Sequence, residues 1–75
     1  MNNSFVQRQA QKLAERLRRE GGEKIPDQIA LAYRLAFGRK PTGEESNRAL
    51  ALAREHGLES VCWALFRASE FSYLK

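Results

Sequence analysis

Residues 33–46 read YRLAFGRKPTGEES, and the reading of this stretch decides the fold. An apolar run rich in helix formers closes on Gly38-Arg39-Lys40, and Pro41-Thr42-Gly43-Glu44-Glu45 opens a new segment. Three interpretations compete: a phosphate-gripping loop, a DNA-binding turn, and a joint between two helices. A phosphate loop requires G-x-x-x-x-G-K-[ST] after a strand, with several backbone N–H groups around the anion. Here one glycine follows a helical run and Pro41 removes an amide. The joint accounts for more of the residues. Gly38 suits the left-handed position just past a helix end. Pro41 stiffens the approach to the next helix. Thr42 and Glu45, three residues apart, form a capping box: the Thr hydroxyl accepts a backbone N–H and the Glu carboxylate reaches back to another.

Working outward, apolar residues recur at helical spacing along the rest of the chain. Val6, Ala10, Leu13, Ala14 and Leu17 form one stripe of a helix over residues 4–20, with Asn3 or Ser4 as its N-cap and Gly21-Gly22 as its stop. A second helix is expected over 26–37, opened by Pro26 and burying Ile29, Ala32, Tyr33, Ala36 and Phe37. The third runs over 43–56 with Ala49, Leu50 and Ala53 inward, and Gly57 ends it. The fourth occupies 59–69 on Val61, Cys62 and Leu65, with Trp63 and Phe66 on a flank. The end of the chain is aromatic, and Phe71 is expected to dock on the core. No segment alternates apolar and polar residues as a half-buried strand would. The expected fold is therefore all-α: one compact bundle of four short helices over residues 1–75, with a docked aromatic tail.

Composition narrows the function classes. At 75 residues, 43% apolar and 29% charged, the chain fits a small soluble globular domain rather than a disordered segment. A domain of this size buries only about 60–65% of its unfolded surface, so its stability margin is thin. Cys62 is the single cysteine and His56 the single histidine. One thiol and one imidazole do not make a zinc site, and C-x-x-C-H is missing, so neither metal nor covalent haem is expected. No cofactor follows from any other pattern. The first residues lack the basic and apolar regions of a signal peptide, and no apolar run is long enough to span a bilayer.

The net charge of +4 is concentrated at one end: residues 1–20 hold five basic residues against Glu15 and Glu20. Arg8, Lys12 and Arg16, four apart, line one helix face, and Arg19 extends it. That face offers the alternative reading, a small basic nucleic-acid-binding protein. The plainer reading is a solvated face with Glu15–Arg19 and Arg16–Glu20 pairs. In the third helix, Asn47 and Arg48 are offset by Glu44 and Glu45, which repel phosphate. His56 has no nucleophile and orienting partner assembled around it, and Cys62 sits on an apolar stripe. Catalysis is therefore not expected. Trp63, Phe66, Phe71 and Tyr73 are read mainly as core, with an interaction patch that also includes Phe5 as the alternative.

Several of these residues resemble one family. Tyr33-Arg34-Leu35-Ala36-Phe37-Gly38-Arg39-Lys40-Pro41-Thr42 followed by Glu44-Glu45 is similar to the "YRLALGRPPTxEE" element of a domain of unknown function found in large Planctomycete proteins, where it often accompanies cytochrome-c-like domains. Asn2-Asn3-Ser4-Phe5-Val6 with Gln9-Ala10 resembles that family's "LNNxFVxxQA", and Ser69-Glu70-Phe71-Ser72-Tyr73 its "SNEFLY". The likeness covers nearly the whole chain in matching order. It implies the C-terminal helical part of a longer domain in an exported parent protein, although this chain shows no signal and no haem motif; an excised fragment and a free-standing small relative both fit. No catalytic residue comes with it. Arg34, Gly38, Arg39, Pro41, Thr42, Glu45, Glu70 and Phe71 take structural roles in a helix joint, its cap and the tail. The combined expectation is a non-enzymatic helical interaction module. Its partner would be protein, either a second copy in a homodimer or the rest of a parent chain, rather than nucleic acid or membrane.

Overall fold

The computed structural model describes residues 4–68 and places four helices among them. Helix α1 (Ser4–Glu20) buries Val6, Ala10, Ala14 and Leu17, the stripe its spacing lays on one face. At about 1.5 Å per residue its 17 residues reach roughly 25 Å, close to the longest dimension of a molecule measuring 27 × 22 × 21 Å. The other three helices wrap around that length. α1 packs most heavily on α4 (Leu58–Arg67), α4 on α3 (Gly43–His56), α3 on α2 (Ile25–Phe37), and α2 returns to α1. The helices thus close a ring.

Three helix boundaries differ from expectation: the start of α2 and both ends of α4, which was expected to run to 69. α2 begins one residue early, at Ile25, because the Lys24 carbonyl already accepts the N–H groups of Asp27 and Gln28, each at 3.1 Å. α4 begins at Leu58 rather than 59. Gly57 reverses the chain alone: its N–H donates to the Ala53 carbonyl at 2.9 Å, and its φ of 93° and ψ of 164° launch α4 at once. Few residues other than glycine adopt that conformation cheaply. Leu58 is consequently buried, a core residue that the helical stripe of 61–65 did not announce. α4 ends at Arg67, where Ala68 turns extended. The Asn3 cap and the docked tail with Phe71 lie outside the described residues.

The core is built from small side chains. Ala10, Ala14, Ala32, Ala36, Ala49 and Ala53 are all buried, and among the described residues the largest side chains fully sealed from solvent are Leu17, Ile29 and Cys62. Alanine brings little apolar area, but it lets helix axes approach and loses no side-chain entropy on burial. Half-buried Leu13, Leu31, Leu35, Leu50 and Leu52 pack around this centre and supply the bulk that it lacks.

One polar side chain is buried with them. Gln28 donates from Nε2 to the Gly22 carbonyl at 2.7 Å, tying the α1–α2 corner to the first turn of α2. The corner is tight. A Cβ added at Gly21 would stand 2.6 Å from the Leu17 carbonyl oxygen and 3.0 Å from the Gln28 Cα, both backbone atoms. Gly21→Ala is therefore expected to destabilise the protein by about 1–3 kcal/mol, the usual cost of forced overpacking. Urea denaturation checks this, and an unchanged midpoint would mean that the corner opens freely.

Candidate functional site

Two constellations stand out. The first is the 38–45 joint. Gly38 takes φ 72° and its N–H donates to the Arg34 carbonyl, ending α2 as its position requires. Thr42 caps α3: its hydroxyl accepts the Glu45 N–H at 3.1 Å, and Glu45 Oε1 accepts the Thr42 N–H at 2.8 Å. The expected capping box is thus present. Arg39 adds a contact six residues long. Its guanidinium donates to Glu45 Oε1 at 2.8 Å and Oε2 at 3.0 Å, a two-point fork. The same guanidinium donates to the Lys40 carbonyl at 3.0 Å. It also lies 5.7 Å from the Tyr33 ring centroid and 5.4 Å from that of Phe37, rings that meet edge to face at 5.3 Å. Phe37 is therefore half-buried beneath Arg39 rather than fully in the core.

The electrostatics follow from that geometry. Hydrogen bonds from Arg39, then from the Thr42 backbone, hold the Glu45 carboxyl from its ordinary 4.5 down to about 2. Because the folded form holds the proton more weakly than the unfolded chain, this group's contribution is complete above about pH 4.5. It is lost as pH falls through that value towards about 2. Glu45→Gln should accordingly be less stable than the parent at neutral pH, with a flatter stability profile between those limits. Parallel profiles in acid denaturation would show that the pair contributes nothing. Thr42→Ala, which removes the cap acceptor, should cost about 0.5–2 kcal/mol in urea or thermal melts, and an unmoved midpoint would count against the capping role.

The second constellation runs along α1. Its Lys12, Arg16 and Arg19 border a cleft of about 190 Å³ whose apolar lining is Leu13, Leu35, Ala36 and Phe66, contributed by three helices. Gln9 stands at one end. Lys12 and Arg19 are exposed, whereas Arg16 is half-buried, a departure from the fully solvated row expected for Arg8, Lys12 and Arg16. The expected Arg16–Glu20 pair is present: the carboxylate accepts Arg16 Nε at 3.2 Å, and it also lies 3.7 Å from Arg19. Arg19 thus pairs with Glu20 where Glu15 was expected. An exposed i,i+4 pair of this kind is worth only about 0.3–0.5 kcal/mol, so Arg16 is held lightly.

The aromatic residues do not gather into one patch. Phe5 is 50% exposed. Phe66 lines the basic cleft, while Trp63 faces Gln7 and Gln11, which helical spacing puts on the other flank of α1. Arg67 lies over the Trp63 ring, 4.8 Å from its centroid. Phe71 and Tyr73 lie outside the described residues. Periodicity put Trp63 and Phe66 on one flank of α4; their separation across α1 depends on how two helices cross, which periodicity does not encode.

The reactive side chains are held in quiet settings. Burial pushes the Cys62 thiol up to about 12, with nearby Glu59 adding to the rise and Arg18 opposing it. His56 is exposed at the end of α3, 3.9 Å from Glu55, and its carbonyl accepts the Ser60 hydroxyl. Among the described residues no group of His, Cys, Asp and Glu is placed to hold a metal ion, and no helix is long and apolar enough to cross a membrane. No family model, curated protein or solved structure matches the chain.

Proposed function

We propose that the chain is a non-enzymatic helical interaction module that meets protein partners through the flank of α1. The observation that carries this reading is the cleft in which Lys12, Arg16 and Arg19 border the apolar side chains of Leu13, Leu35 and Ala36. Apolar surface ringed by polar groups is the usual make-up of a protein contact. The sealed Cys62 thiol is consistent with a role that needs no nucleophile. The resemblance of residues 33–45 to the Planctomycete domain supports a place within a larger exported assembly. In that setting the partner is the rest of a parent chain. A second copy meeting at the half-exposed Phe5 is the other protein partner.

A different class of function, nucleic-acid binding, draws on the row Arg8, Lys12, Arg16 and Arg19. Glu20 weighs against it, because its carboxylate occupies two of the four cations. Sedimentation velocity at tens of micromolar, together with titration of a short DNA duplex, separates these readings. Weak self-association that falls in Phe5→Ser, with an unchanged melting temperature, is the outcome expected for contact between copies. A strict monomer removes the second copy and leaves the parent chain. Duplex binding should be weak and should vanish steeply as salt rises. A specific complex that survives physiological salt would reverse the order of the two functions.

A further inference from the structure

We infer that the α1 cleft is a docking groove for an acidic amphipathic segment of a partner protein, one that sets carboxylates against Lys12, Arg16 and Arg19 and an apolar side chain against Leu13, Leu35 and Ala36. This rests on the interaction-module reading and names the chemistry of the partner. Shape favours a segment. The lining residues 9–19 of α1 extend for about 15 Å, three turns of helix. The enclosed volume, about 190 Å³, is below the roughly 300–1,000 Å³ of pockets that enclose whole small molecules. A long shallow trough of this kind takes side chains projected from a peptide, with recognition spaced at helical intervals.

Charge selects among peptides. Three cations border the groove against one carboxylate, Glu20, and the facing lining from α2 and α4 is uncharged. Lys12 has no ion-pair partner among the described residues. A two-fold dimer through this groove would oppose Lys12, Arg16 and Arg19 to their own copies, which like-charge repulsion disfavours. Duplex nucleic acid offers phosphates, but its bases are stacked inside the helix and leave the apolar trough unfilled. A segment with glutamates or aspartates beside a leucine or phenylalanine satisfies both parts. Glu20 then acts as a stand-in: its carboxylate holds Arg16 until the partner's carboxylate replaces it.

The stand-in gives the test its asymmetry. The probe is a fluorescein-labelled helical peptide of about ten residues, the length of the groove, with glutamates on one flank and leucines on the adjoining one. Control peptides replace the glutamates by lysine or the leucines by serine, and a short DNA duplex is a further competitor. Anisotropy reads affinity, and amide shifts on the full-length, isotopically labelled chain read the place. The glutamate peptide should bind, shifting Leu13, Leu35 and Ala36, and each control should bind markedly less. Arg16→Gln should weaken binding by about tenfold, the scale of a charged hydrogen bond. Glu20→Gln should tighten it by about two- to fivefold, since it frees Arg16 and removes a like charge. Circular dichroism of both variants confirms the fold. Equal binding of the glutamate and lysine peptides, no binding at millimolar peptide, or weaker binding by Glu20→Gln overturns the assignment. Shifts centred on Phe5 or Trp63 also overturn it but leave the interaction-module reading standing. A duplex that outcompetes the glutamate peptide at physiological salt overturns both.

Discussion

The Glu45 carboxylate collects the Thr42 backbone N–H and both arms of the Arg39 guanidinium, and the relation between the two halves of the molecule hangs on that convergence. α2 and α3 are joined at this corner. What holds their corner is polar and local: a left-handed Gly38, the Thr42 cap and the Arg39 fork. The fork also lays Arg39 over Tyr33 and Phe37, so one side chain links the end of α2, the loop and the first turn of α3. With that corner set, Ala49 and Ala53 come down onto the ring of helices, and α4 follows directly from α3.

An alanine-lined centre has consequences for the surface. Helices that approach closely leave their longer side chains at the margins, where Leu13, Leu35 and Phe66 are half-buried. The α1 cleft forms where three such margins meet. Its basic border comes from the outer flank of the α1 stripe, and the shared Glu20 tempers that charge without cancelling it. The same close packing that makes a small core workable thus exposes apolar surface beside cations, the combination on which the interaction reading rests.

How much of this could be read from the chain depends on the range of each interaction. Gly38, Thr42 and Glu45 act on backbone within a few residues, so the joint was legible from YRLAFGRKPTGEES alone. Stripes at helical spacing identified Val6, Ala10, Ala14 and Leu17 for the same reason. The Arg39–Glu45 fork was not legible, because a six-residue contact across a turn has no fixed spacing. Gln28 was missed because glutamine on a helix is normally solvated, and only the carbonyl of Gly22 makes its burial tolerable. Leu58 was missed because a one-residue corner is shorter than the turn that usually separates two helices. The cleft needs α1, α2 and α4 assembled before it exists. The charge of the first helix and the Arg16–Glu20 pair were visible, but the contact of Arg19 with the same carboxylate was not.

Gly57 carries one more consequence. Adding a single residue there would turn α4 by about 100° about its axis, carrying Leu58, Cys62 and Leu65 off the core and bringing Ser60 and Ala64 towards it. The other two corners are locked in different ways, by the Gln28–Gly22 bond and by the Arg39–Glu45 fork. Each corner is therefore tied to its present chain length by a specific contact. Exchanging side chains on the outer faces, the flank of α1 foremost, leaves these corner contacts and the spacing between the helices untouched.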